Sequence, residues 1–275
     1  QIMTTQTTTG DPTMSFTAKD VMQLRQKTGL GMMDCKKALT ENNGDAAAAE
    51  EWIRAKKKGK MDTRTERTTG EGRIGVAYGD NCAVIVEVQT ETDFTAKNDA
   101  FSDMVAEVAN FALSSDDGDV TCSDDMTKAI DEIRITTGEN ANYARGMHYS
   151  GGHYGHYIHH DGKRACLLQT DGEVDSDVLK GICQHVVFHD PLGISAADVP
   201  TDIIEKIKTD AIQQAKDTGK NDEIAQKMAE GKVRKHLEEN TLLAQKYVLD
   251  ESKTVQELLP EGTTVTAFIR YTLGG

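Results

Sequence analysis

The chain has 275 residues, enough for one large or two ordinary domains with real cores. Apolar residues make up 37% and aromatic residues only 5%, which points to small, helix-rich cores rather than large β-sandwiches. A net charge of −14 repels phosphate backbones and argues against nucleic acid as the main partner.

Residues 1–14 are rich in Thr and Gln and lack Arg and Lys, so they read as a disordered tail rather than a signal or transit peptide. Residues 15–58 read as three short helices forming a compact module with a thin core. Ser15 or Thr17 caps the first, and Phe16, Val21 and Leu24 give its apolar side. Gly29 and Gly31 end it. The second runs from about Met33 to Glu41, and the third begins after Asp45, with Trp52 and Ile53 facing inward. The loop Gly29-Leu30-Gly31-Met32-Met33 places two methionines in a glycine-rich turn; either one plugs the core or both form an adaptable contact surface. Residues 59–72 read as a linker that continues the basic run from Lys56.

A pattern then occurs twice. Ile74, Val76 and Tyr78 alternate, Gly79-Asp80-Asn81 turns, Ala83–Val88 returns, and a helix follows from Phe101 to Leu113. Later Tyr154–His160 is extended, Asp161-Gly162 turns, Arg164–Gln169 returns, and Val178, Ile182, Cys183 and Val186 mark another helix. Two β-hairpins that each feed a helix suggest an internal duplication. The fold class is therefore α+β, with subdomains over residues 73–145 and 146–275. Met126–Ile135 reads as a helix between them, followed by an irregular stretch after Gly138. Residues 202–240 read as a helical hairpin with one stripe of Ile203, Ile207, Ala211, Ile212 and Ala215 and another of Ile224, Met228, Val233 and Leu237. Thr254–Leu259 reads as a short helix and Val265–Leu273 as a final strand.

Several chemistries find no footing. The five cysteines are widely spaced without a CxxC and read as reduced thiols of a cytoplasmic protein. No run of about 18 apolar residues could cross a membrane. His153, His156 and His159 do not fall on one face of a strand, and no Cys or acid completes a metal site, so no metal or other cofactor is expected. No phosphate-cradling loop or nucleophile motif is present.

Asp93-Phe94 sits where the apolar strand gives way to a helix. One reading is a cap, with Thr92 or Asp93 accepting hydrogen bonds at the helix start and Phe94 packed as a staple. The other has Phe94 standing out as an anchor into a partner.

Four stretches, in order, resemble the elongation factor Ts family. They are Leu24-Arg25-Gln26-Lys27-Thr28-Gly29-Leu30-Gly31-Met32-Met33-Asp34-Cys35-Lys36-Lys37-Ala38-Leu39, then Glu91-Thr92-Asp93-Phe94-Thr95-Ala96-Lys97-Asn98, then Ile224–Lys232, then Ser252-Lys253-Thr254-Val255. Gln89, Thr90, Thr95 and Thr137 differ from the residues usual in that family. The resemblance implies a ubiquitin-associated-like three-helix domain, then a core of two related subdomains with an inserted helical hairpin. It implies a nucleotide-exchange factor for elongation factor Tu, binding its GDP form, and not an enzyme. Asp93 and Phe94, with Thr92, would enter the partner near its Mg²⁺ site, Phe94 as a wedge between helices. Arg25, Met32 and Met33 would touch an outer helix of the partner, and Gly138 and His159 (or His160) are further carry-overs. The resemblance also allows a homodimer through the hairpin. A competing expectation is a module whose Gly-Met-Met loop binds ubiquitin-like partners without exchange activity.

Overall fold

In the computed structural model, residues 16–28, 30–62 and 65–275 are described. The expected tail 1–14, the Ser15 cap, Gly29 and Arg64 lie outside them. Among the described residues no helix is long and apolar enough to cross a membrane. The chain divides into two compact units, one taking in the chain up to Thr68 with Asp131–Ala141, the other Thr69–Ile130 with Asn142–Gly275.

The smaller unit holds α1 (Ala18–Thr28), α2 (Met32–Glu41) and α3 (Ala46–Asp62). Thr17 and Asp20 cap α1 reciprocally: the Asp20 carboxylate accepts from the Thr17 N–H at 2.7 Å, and the Thr17 hydroxyl accepts from the Asp20 N–H at 3.4 Å. The Asp45 carboxylate caps α3 by accepting from Ala47 and Ala48 N–H. Gly31 does not close α1 but serves as the N-cap residue of α2. The core is small: Val21, Leu24, Cys35, Ala38, Leu39, Ala49 and Ile53, with Phe16, Leu30 and Trp52 packed at its edge.

The larger unit begins with β1 (Glu71–Tyr78) and β2 (Cys82–Thr90), an antiparallel pair with Glu71 opposite Thr90. The short helix α4 (Asp93–Ala96) and then α5 (Asp99–Ala112) follow. A two-residue strand, β3 (Gly118–Asp119), leads to α6 (Asp124–Thr137), along which the division between the two units falls. Next comes β4 (Ala141–Ser150), and the first sheet has the order β1-β2-β4-β3. β5 (His153–Ile158), β6 (Arg164–Thr170) and the last strand make the second sheet, and α7 (Ser176–His189) packs against it. α8 (Thr201–Asp217) and α9 (Asp222–Asn240) form the helical hairpin. A two-stranded ribbon, β7 (Lys246–Tyr247) with β8 (Asp250–Thr254), precedes β9 (Val265–Thr272), which pairs with β6.

The fold class is α+β, as expected, and both hairpin–helix units are present. Each has a glycine where its helix comes closest. A methyl at Gly75 of β1 would stand 2.8 Å from Val105 Cγ1 of α5, and one at Gly155 of β5 would stand 2.5 Å from Leu179 Cβ of α7. Between the sheets lies a core of Ile74, Ala83, Ile85, Ala165, Leu167 and Tyr271, flanked by Met147 and Tyr149.

Three readings need correction. The irregular stretch expected after Gly138 is in fact strand β4. The α8 stripe faces inward as expected, with Ala211 and Ala215 buried, but α9 buries Ala225 and Ala229 and leaves Ile224 and Met228 of the expected stripe exposed. Alanines at the seam let two helices approach closely, which pushes longer side chains to the flanks. Thr254–Leu259 is not a helix but the end of β8 followed by a 3₁₀ turn over Gln256–Leu258.

Candidate functional site: the Asp93-Phe94 turn

β2 runs apolar from Ala83 to Val86 because it is covered on both faces: Val84, Val86 and Val88 are buried on one, Ala83 and Ile85 on the other. The strand ends at the buried Thr90, and Thr92 turns the chain with φ −127° and ψ 154°, its hydroxyl accepting from the Thr95 N–H at 3.4 Å. α4 buries Thr95 and Ala96. One turn later Asn98 caps α5 by accepting from Ala100 N–H at 2.9 Å, and the fully buried Phe101 anchors that helix. A single helical turn with a cap before it and another after it has little freedom to move. It presents Phe94 to solvent at 84% exposure. The cap is therefore real, but the staple is not: Phe94 packs on nothing that hides it.

Asp93 is also at the surface. Lys97, four residues on, donates to its carboxylate at 2.8 Å. That hydrogen bond holds the Asp93 carboxyl below its ordinary range, with further help from the Lys97 and Lys163 charges, and the same bond raises the Lys97 amine.

The turn is braced by β1. Arg73 donates to the Ala96 carbonyl at 3.5 Å, and its guanidinium lies against Gly162, where a methyl would come within 3.0 Å of it. The Gly162 carbonyl accepts from the Ile74 N–H at 2.9 Å. Gly162 belongs to the β5–β6 turn, so that turn and α4 meet at the same end of β1. This is the turn that carries His159. His159 Nδ1 shares a hydrogen bond with the Tyr157 hydroxyl at 2.9 Å, and its ring stacks on His160. The larger unit thus brings Thr92, Asp93, Phe94 and His159 to one end of the molecule's first strand.

The remaining expected residues belong to the smaller unit. Arg25 is exposed on α1. Met32 and Met33 open α2 at 41% and 78% exposure, so neither plugs the core. Gly138 ends α6 with φ +76°, its N–H donating to the Arg134 carbonyl, a conformation that glycine adopts without strain. Two residues on, the buried Asn140 amide donates to the Thr65 and Arg67 carbonyls and ties down the segment before β1. Among the described residues no group of three or more His, Cys, Asp or Glu could hold a metal ion.

Residues 91–275 match the family model described as elongation factor TS. The chain is 39% identical to an elongation factor Ts of Brucella anthropi, over 95% of this chain and 93% of that protein. It is 38% identical to one of Bartonella henselae, over 95% and 94%, and 37% identical to one of Rhizobium meliloti, over 90% and 87%. The chain belongs to the elongation factor Ts family. It is thereby a factor of protein biosynthesis, at the elongation stage of translation.

Within this family fold, the supporting residues that single-residue reading passed over are Arg73, Lys97 and Lys163. Lys97 was legible, since an acid and a lysine four apart at a helix start form a pair by spacing alone. Arg73 and Lys163 were not: Arg73 reaches α4 through the packing of that helix on β1, and Lys163 nears it only through the packing of one hairpin on the other.

Proposed function

We propose that this chain is a guanine nucleotide exchange factor that binds elongation factor Tu in its GDP form and speeds GDP release, itself making and breaking no covalent bond. The observation that carries the proposal is Phe94, 84% exposed on a doubly capped turn. A large apolar side chain held outward at a fixed angle has no structural work to do in the free protein, and it suits insertion between two elements of a partner. Burying such a ring is worth about 1.5–3 kcal/mol. If the pocket it fills opens only when the Mg²⁺ and phosphate site of the partner is distorted, that energy becomes coupling between the two ligands. GDP then weakens the factor by the same amount as the factor weakens GDP. Asp93 would add a carboxylate beside that site once it exchanges Lys97 for groups of the partner. Arg25, Met32 and Met33 would supply affinity through a second contact, with Gly138 in the same unit, while His159 would add to the contact made by the Asp93-Phe94 turn.

The test is release of fluorescent GDP preloaded on elongation factor Tu. The intact protein accelerates release. Phe94→Ala lowers that acceleration by roughly 10- to 100-fold, with an unchanged melting temperature because the ring is not part of the core. No acceleration by the intact protein would remove the exchange reading; full acceleration by Phe94→Ala would remove the wedge alone.

A further inference from the structure

The larger unit contains a buried charge that the site above does not use. Glu87 lies on β2 with 0% of its surface exposed, on the same strand face as Ala83 and Ile85, between the two sheets. Its carboxylate meets only donors. One oxygen accepts from the Arg145 Nε at 2.9 Å, with Arg145 Nη2 at 2.8 Å. The other accepts from the Gln89 amide at 2.8 Å and from the Gly274 N–H at 2.9 Å. Arg145, on β4, also donates to the Thr272 carbonyl at 2.8 Å and lies over the Tyr271 ring, 4.2 Å from its centroid. Glu87 and Arg145 come from the first sheet; Tyr271 and Thr272 end β9 in the second, and Gly274 lies just beyond it. The pair is thus a polar pin set among the apolar residues of the seam, whose edges carry the Tyr78–His156 hydrogen bond and the Lys163–Glu71 ion pair.

Apolar faces slide on one another at little cost, whereas a four-donor carboxylate has one satisfying position. β2 carries the Asp93-Phe94 turn and the second sheet carries the His159 turn. We infer that Glu87 and Arg145 are positioning residues that fix the register of the two sheets, and so the spacing of the two turns offered to the partner. The inference rests on the exchange function proposed above for its effect on activity, though not for its effect on the seam.

The experiment uses the full-length protein. Glu87→Gln keeps shape, but its NH₂ must face donors on one side or the other, so one half of the pin is lost. The comparison is Leu242→Ala, a fully buried position in a different cluster, the one that holds Ile182, Cys183 and Val186 of α7. Both are expected to lower Tm by on the order of 10 °C. Measured well below Tm, Glu87→Gln cuts the acceleration of GDP release at least tenfold and Leu242→Ala leaves it within twofold of the intact protein. Equal losses in the two variants would mean that the pair only stabilises the fold, and would overturn the inference. A partner-free readout accompanies it: hydrogen exchange at the Ile74 amide, which is bonded across the seam to Gly162. Its protection falls at least tenfold more in Glu87→Gln than in Leu242→Ala; equal protection in the two overturns the inference whatever the GDP assay gives. Should the intact protein itself fail to release GDP, the exchange reading fails while the amide measurement still decides the pin. The double variant Glu87→Leu/Arg145→Met restores Tm by filling the seam with apolar groups, without restoring the lost acceleration.

Discussion

At the scale of single residues, the charge on Asp93 is set by one neighbour. The Lys97 ammonium donates to the carboxylate at 2.8 Å and holds its pKa below the ordinary value of 3.8. The folded pKa is depressed, so the pair is formed at neutral pH and its contribution disappears as pH falls through the folded-state pKa, below the ordinary carboxylate range. Both side chains are exposed, and the contribution to stability is accordingly small. The free protein thus holds Asp93 ionised and engaged with Lys97 at neutral pH. Lys97→Met should raise the Asp93 pKa back to the ordinary carboxylate value, as read by NMR titration of the side-chain carboxyl. An unchanged titration would show that the backbone or Lys163, rather than Lys97, sets it.

At the scale of elements, each hairpin meets its helix at a glycine, and the two contacts are equivalent. At Gly155 a methyl would stand 3.3–3.4 Å from the Leu179 backbone as well as 2.5 Å from its Cβ, and helix backbone cannot step aside. Gly155→Ala should cost about 1–3 kcal/mol, seen as a Tm lower by roughly 3–10 °C. α7 carries a second constraint at its far end. His185 is fully buried; its Nδ1 accepts from the Val248 N–H at 3.2 Å, so the proton sits on Nε2, which donates to Gln245 at 2.9 Å. Burial, together with the nearby His189, pulls its pKa below 6.5, against an opposing effect from the Gln245 bond. The unfolded chain therefore takes up a proton before the native one does. Stability from this site is complete above about pH 6.5 and is lost as pH falls below it. Tm should drop between pH 7 and pH 5, and His185→Phe should flatten that slope. Much at this scale was readable in the chain. The hairpin–turn–helix pattern was plain because its strands alternate or run apolar and its turns carry Gly, Asp and Asn. β4 was not, because its inward face carries Arg145 and its other face Gly146, where a side chain would strike Ile85 O. A half-buried arginine that turns toward the seam because a buried carboxylate receives it leaves no alternation to find. α9 misled for the opposite reason: Ile224 and Met228 are conspicuous, and Ala225 and Ala229, which join Ala211 and Ala215 of α8 as the buried alanines of the hairpin, are not.

At the scale of the whole molecule, the two units carry cores of very different size, and their proposed roles differ accordingly. The smaller core centres on Leu39, Leu24 and Cys35, all essentially inaccessible. A core of this extent supplies only about 3–5 kcal/mol. Leu39→Ala removes about 2–5 kcal/mol, most or all of that. The smaller unit should then open locally while the sheets of the larger one stay closed, since local stability varies along a chain. Hydrogen exchange would show it as lost protection at Cys35 and Ala38, with Val86 and Leu167 unchanged. In the exchange reaction the two units are expected to separate binding from release. With Arg25, Met32 and Met33 no longer presented on a fixed frame, Leu39→Ala should raise the factor concentration needed for half-maximal GDP release, leaving the rate at saturation close to that of the intact protein. Phe94→Ala should lower the saturated rate and change the half-maximal concentration far less. Should both variants change the same parameter, affinity and release would not be divided between the methionine loop and the Asp93-Phe94 turn.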